Sequence, residues 1–237
     1  MKQKTVLFDL DGTLLPMDQD AFTKGYFALL VQKLAPHGYD PAALVDNIWA
    51  GTAVMVANDG TRTNEEAFWS KLVHIYGEKV RQDIPLFDAF YREEFQQAKA
   101  FCGQNPKARE VVTACKKAGY PVVLATNPIF PAVATESRIR WAGLEPEDFA
   151  WYTTYENIGY SKPNPAYYQH IITRLGAQAE DCLMVGNDVD EDMGAAQQAG
   201  LSVFLLTDCL INREGKDITP YPQGDFDALM GFVQSWA

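Results

Sequence analysis

Apolar residues run along this chain in two rhythms, and the change between them divides it. Thr5–Asp9 carries a short unbroken apolar run, the mark of a strand buried on both faces. From about Asp18 to Gln97 the rhythm is helical. Phe22, Tyr26, Leu29, Leu30 and Leu34 repeat at helix spacing over Ala21–Leu34, and Pro36-His37-Gly38 ends the run. Pro41 opens a second helix through Leu44, Val45, Ile48 and Trp49, and Asn58-Asp59-Gly60 signals a turn. Thr63 with Glu66 makes a capping-box pattern ahead of Phe68, Leu72 and Ile75, and a fourth helix fits Leu86–Ala98. The stretch holds no strand pattern, so it reads as an all-helical insert.

Beyond Gly103 the rhythm alternates. Asn105-Pro106 begins a helix to Lys117, Pro121–Thr126 is a strand, and a helix runs from about Pro131 to Trp141. Ala150–Thr154 and Cys182–Gly186 read as strands on either side of a helix from Pro165 to Leu175. Glu191–Ala199 reads as a helix, Ser202–Leu206 as a strand, and a last helix comes after Gln223-Gly224-Asp225 and runs to Trp236. Alternation of this kind predicts an α/β fold: a doubly wound, Rossmann-like parallel sheet with helices on both faces. Residues 1–16 and 100–237 would form that core and 17–99 the helical insert.

Composition changes this picture little. Apolar residues make up 47% and charged residues 22% of the 237, as in an ordinary globular protein. The net charge of −11 argues against a nucleic-acid partner, because phosphate backbones select basic faces. A small phosphorylated ligand is compatible with it, since a metal ion and one or two lysines can set a local field. Cys102, Cys115, Cys182 and Cys209 show no metal-finger spacing. With no apolar run of membrane-span length and no secretory signal pattern, the expectation is a cytoplasmic protein with reduced thiols and no membrane partner.

The candidate chemistry lies just past the strand ends, because open α/β sheets bind ligands at their carboxyl edge. Asp9, Asp11 and Thr13 come after the first strand, Thr126 and Asn127 after the second, and Lys162 lies in Tyr160-Ser161-Lys162-Pro163 near the third. Gly186-Asn187-Asp188 and Asp192 come at the end of the fourth. Asp9 and Asp11, two apart on extended chain, reach the same side. One can attack phosphorus while the other gives and takes a proton. Gathering Asp9, Asp11 and Asp188 into one volume demands a cation, and an oxygen-only set favours Mg²⁺. Thr126 and Asn127 offer a hydroxyl and an amide to phosphate oxygens, and Lys162 can balance the carboxylates.

These motifs resemble the haloacid dehalogenase-like hydrolase superfamily. Asp9-Leu10-Asp11-Gly12-Thr13 looks like its first motif, Thr126-Asn127 its second, Lys162-Pro163 its third, and Gly186-Asn187-Asp188 through Asp192 its fourth. Asn187 departs from the pattern, in which the aspartate comes directly after the glycine. The resemblance implies a phosphatase with a helical cap. Asp9 would be the nucleophile, forming an aspartyl-phosphate, and Asp11 the acid and base, with its backbone carbonyl on Mg²⁺. Thr126 and Lys162 would bind phosphoryl oxygens, and Asp188 would ligate the metal, with Asp192 on it directly or through water. Thr13, Asn127 and, from the cap loop Ala57–Asn64, Arg62 are the candidate substrate contacts.

The expected partner is a small phosphorylated metabolite, and a monomer is the default, with an apolar cap face able to support a dimer. Asp11 separates this chain from dehalogenases, which lack an aspartate there. A phosphomutase of sugar phosphates shares the same core chemistry. A catalytically silent phosphate-binding protein is a further alternative. A phosphorylated receiver domain would place its acceptor aspartate after a later strand and carry no cap.

Overall fold

The computed structural model describes residues 4–236. Six strands form one fully parallel sheet: β1 (Thr5–Phe8), β2 (Val122–Leu124), β3 (Trp151–Tyr152), β4 (Cys182–Gly186), β5 (Ser202–Leu206) and β6 (Gln223–Gly224), in the order β3-β2-β1-β4-β5-β6. β1 sits between β2 and β4, so the chain's order reverses across it, the arrangement that opens a ligand crevice at the carboxyl edge.

Strand residues alternate strictly between two apolar layers. Val6, Phe8, Leu124, Val185 and Phe204 point into one. Leu7, Val123, Met184, Val203 and Leu205 point into the other. The first layer is covered by α5 (Pro106–Lys117), α6 (Ala132–Trp141) and α9 (Phe226–Ser235), and the second by α7 (Pro165–Leu175) and the short α8 (Ala195–Gln198). Burial on both faces explains the uninterrupted apolar strands.

Between β1 and α5 lie α1 (Gln19–Leu34), α2 (Pro41–Val56), α3 (Asn64–Tyr76) and α4 (Ile84–Arg92), with no strand among them. Asp18, Asp40 and Thr63 cap the first three. Thr63 and Glu66 form the reciprocal capping box their spacing predicts. The insert's two ends run side by side: Met17 bridges Cys102, and the Gly103 amide donates to the Pro16 carbonyl at 2.7 Å. Its aromatic interior is seated on the core, with Tyr26 against Phe130 (5.5 Å between ring centroids) and Phe95 against Trp141 (5.1 Å).

Three elements depart from the sequence pattern. The expected helix Leu86–Ala98 breaks at Glu93 (φ −110°, ψ −84°) and continues as 3₁₀ turns over Glu94–Phe101, which turns Phe95 inward onto Trp141. The expected helix Glu191–Ala199 begins instead as a π-turn over Val189–Gly194. β6 is not expected: two residues carry no apolar rhythm, and it exists through pairing with Leu205 and Leu206. The four cysteines are free, and burial pushes the Cys115 thiol up to about 12. No described helix is long and apolar enough to cross a membrane.

Candidate active site

The site is assembled by register. Phe8 pairs with Val185, and the Asp9 amide donates to the Val185 carbonyl at 2.9 Å, so β1 and β4 release their next residues together. The chain after β1 then turns tightly, with Thr13 and Leu15 amides donating to the Leu10 carbonyl. Gly12 makes this turn with φ +87°, and a Cβ there would lie 2.4 Å from Asn187 Nδ2. Only glycine fits both the backbone and the gap.

Asp9 is buried and held from two sides. Lys162 Nζ donates to its Oδ1 at 2.8 Å, and the Thr13 hydroxyl lies 3.2 Å from its Oδ2 and 2.9 Å from Asn187 Oδ1. Lys162, itself buried, also donates to Asp192 Oδ1 at 2.6 Å. Burial disfavours its charge, but Asp192 and Asp9 outweigh that and hold the ammonium well above its ordinary range. The other oxygen of Asp192, Oδ2, accepts the amides of Asn187 and Asp188, each at 3.0 Å. Both Asp192 oxygens are therefore engaged within the protein. Through these bonds Asp192 holds Lys162 and the loop after β4. Gly186 is required beside it, since a Cβ there would lie 2.2 Å from Asp192 Oδ2.

Asp188 caps the π-turn, its Oδ1 accepting the amides of Asp190 and Glu191 at 2.9 Å, while Arg213 donates to its Oδ2 at 2.6 Å. Asp11 faces the same cavity, paired through Oδ2 with Arg138, and its buried Oδ1 has no hydrogen-bond partner among the described residues. Burial pushes the Asp11 carboxyl up, and Arg138 pulls it part of the way back. Asn127 Oδ1 is the second such oxygen on the cavity wall, its amide nitrogen donating to Glu191 Oε2 at 3.1 Å. Thr126 is buried on the same wall, its carbonyl fixed by Thr153 and Tyr167 hydroxyls at 2.6 and 2.8 Å.

A cavity of about 330 Å³ thus opens between sheet edge and cap, lined by Asp9, Asp11, Thr126, Asn127, Asp188 and Asp192. Lys162 lies behind Asp9 and Asp192 as their counter-charge. Thr13 steadies Asp9 and is not part of the cavity wall. Arg62 is exposed and away from the wall. Its loop docks on the core instead, with the Asn64 amide donating to the Ile158 carbonyl at 3.0 Å and Asn64 Nδ2 to the Pro128 carbonyl at 3.1 Å.

Sequence reasoning misses Arg138 and Arg213. Arg138 is wholly buried in α6 and stacks on Phe130, its guanidinium 4.4 Å from the ring centroid. Its signal lies in the helical rhythm: Arg138 falls on the stripe of Ala134 and Trp141, where an apolar residue belongs. Arg213 sits in a polar loop without periodicity, and nothing in the sequence marks it.

An all-oxygen set of Asp9, the Asp11 backbone and Asp188 suits Mg²⁺, which takes one or two carboxylates and completes its shell with water and phosphate oxygens. Among the described residues no group of three His, Cys, Asp or Glu side chains is placed to hold a metal ion, so Mg²⁺ here would draw on one or two carboxylates and a backbone carbonyl. The partnerless Asp11 Oδ1 is the local sign of a missing positive or hydrogen-bonding group.

The sequence profile of haloacid dehalogenase-like hydrolases matches residues 3–200. The chain is 25% identical over 228 residues to a glyceraldehyde 3-phosphate phosphatase of Methanothermobacter thermautotrophicus, covering 91% of this chain and 94% of that one. It is 28% identical over 204 residues to a phosphoglycolate phosphatase of Yersinia pestis, covering 85% and 80%. In structure it is similar to a 2-haloacid dehalogenase from Pseudomonas syringae pv. Tomato, with a TM-score of 0.65 at 22% identity over 99% of this chain and 100% of that one, a likeness of fold. With the four strand-end clusters brought to one edge, the chain belongs to the haloacid dehalogenase-like hydrolases.

Proposed function

We propose that this hydrolase is a Mg²⁺-dependent phosphatase that cleaves a small phosphorylated metabolite through an aspartyl-phosphate on Asp9. The observation that carries the reading is the pairing of a buried Asp9, held by Lys162 Nζ at 2.8 Å, with Asp11 two residues on at the same cavity. Asp9 attacks phosphorus along a line set by Thr13 and Lys162, forming an Asp9 Oδ–P bond as the ester P–O bond breaks. Asp11 gives its proton to the departing alkoxide, then takes one from water as that water attacks the phosphoryl group and frees Asp9. Thr126, Asn127 and the Lys162 ammonium offset charge on the transferring oxygens. Mg²⁺, held by Asp9, the Asp11 carbonyl and Asp188, supplies charge neutralisation when bound.

Relatives named as phosphatases of glyceraldehyde 3-phosphate and phosphoglycolate support this chemistry. The presence of Asp11 favours it over dehalogenation, in which no alkoxide has to be protonated. The test is phosphate release from p-nitrophenyl phosphate with Mg²⁺ or with EDTA, wild type beside Asp9→Asn. Mg²⁺-dependent release that falls at least ~10³-fold in Asp9→Asn is expected. Release that survives in the variant rejects Asp9 as nucleophile.

A further inference from the structure

Resting on the phosphatase reading, we infer that the substrate's alcohol is a bulky apolar or aromatic group without negative charge, and not a small hydroxy acid. The cavity that begins at Asp9 continues into the cap, and there its wall is aromatic: Phe22 and Phe27 from α1, Trp49 from α2, Trp69 from α3 and Phe87 from α4, facing Phe130 of the core. At about 330 Å³ it falls in the range of pockets that enclose a whole small molecule, well beyond what a phosphoryl group and a two-carbon acid fill.

Charge decides the class. The one basic side chain on the described wall is Arg213, and it lies on Asp188 at the phosphoryl end. Helices α1 to α4 contribute no lysine, arginine or histidine to the wall. They contribute Asp88, half-buried, which forms no ion pair or hydrogen bond among the described residues. A carboxylate on the leaving group would enter an apolar chamber whose own wall offers it one like charge and whose nearest guanidinium, Arg138 behind Phe130, is already paired with Asp11. Buried charge is tolerated only when paired. An apolar alcohol meets the opposite situation, since each ring it presents replaces water against Phe27, Trp49 or Phe87. Polar groups on the wall, Thr23 and Thr52 among them, leave room for a hydroxyl or an amine on such an alcohol.

The experiment compares kcat/KM of the Mg²⁺-loaded wild type for 2-phenylethyl phosphate, ethyl phosphate and 2-phosphoglycolate. All three are esters of unactivated alkyl alcohols, so the ratios read the cavity. We expect 2-phenylethyl phosphate to exceed ethyl phosphate by at least ~10-fold and 2-phosphoglycolate by at least ~100-fold. Thr52→Lys, which sets a cation on the half-buried wall, should narrow the second ratio at least ~10-fold. Phosphate release that favours 2-phosphoglycolate in the wild type overturns this inference and leaves the phosphatase reading intact. No release from any of the three, or from p-nitrophenyl phosphate, overturns both. If Thr52→Lys does not fold, the wild-type ratios alone decide.

Discussion

Lys162 is the residue on which most of the site's balance rests. Its ammonium is the shared partner of Asp9 and Asp192, at 2.8 and 2.6 Å, and all three side chains are buried. Removing one member of such a group leaves uncompensated charge out of water, which costs far more than a surface pair is worth. Lys162→Met should therefore lower unfolding free energy by about 3–5 kcal/mol, measured by urea denaturation. A loss under about 1 kcal/mol would mean the carboxylates are solvated rather than paired. Asp9, Asp11, Thr126, Asn127, Lys162 and Asp188 are legible in sequence because each comes after a strand or in a loop whose apolar flanks announce its bounds. Arg138 is not, because a buried arginine looks like any surface charge until the stripe it interrupts is seen against its neighbours. Asp192 is marked by type and spacing alone, and neither says that the Asn187 and Asp188 amides and the Lys162 ammonium occupy its oxygens.

At the scale of elements, one buried side chain links the cap to two of the strand-end loops at once. Asn64, the first residue of α3, is wholly buried. Its Nδ2 donates to the Pro128 carbonyl at 3.1 Å and Ser161 Oγ at 3.0 Å, and its Oδ1 accepts from Asn58 Nδ2. It thus ties the α2–α3 loop to the loop after β2 that carries Thr126 and Asn127, and to the loop that carries Lys162. Gly159 sits so close to the Arg62 carbonyl that a Cβ there would lie 2.2 Å from it, which shows how tightly this seam is packed. Asn64→Ala removes the bonds to the Pro128 carbonyl and Ser161 Oγ and one of the two bonds made by Asn58 Nδ2. It should cost about 1–3 kcal/mol in thermal or urea unfolding, with kcat/KM falling as the loops loosen. An unchanged stability with unchanged kcat/KM would show that the seam does not position the site. The capping box of α3 is legible because Thr63 and Glu66 sit at fixed spacing. The clasp is not, because asparagine is also a common turn residue and its partners are 64 and more positions away.

For the molecule as a whole, sheet order and insert position come from one topological choice. The cap leaves the sheet after β1 and returns before α5, through two stretches of backbone that pair at Met17 and Cys102. It therefore covers the carboxyl edge at the point where β1 and β4 deliver the aspartates, and its aromatic wall and the catalytic edge share one cavity. The period change from strand to helix makes the insert readable, whereas the character of the wall depends on which faces of four helices turn inward and emerges only from their packing. A substrate seated against this apolar wall would displace water from it and strengthen charge interactions at Asp9.

The proposed mechanism turns on covalent chemistry at a single carboxylate, that of Asp9. The most direct measurement is acid quench during turnover of p-nitrophenyl phosphate with Mg²⁺, then peptide mass analysis of the wild type and Asp9→Asn. The expected result is a phosphoryl adduct confined to the peptide that carries Asp9, absent from the variant. Steady phosphate release with the adduct on another residue, or undiminished release from Asp9→Asn, would contradict it.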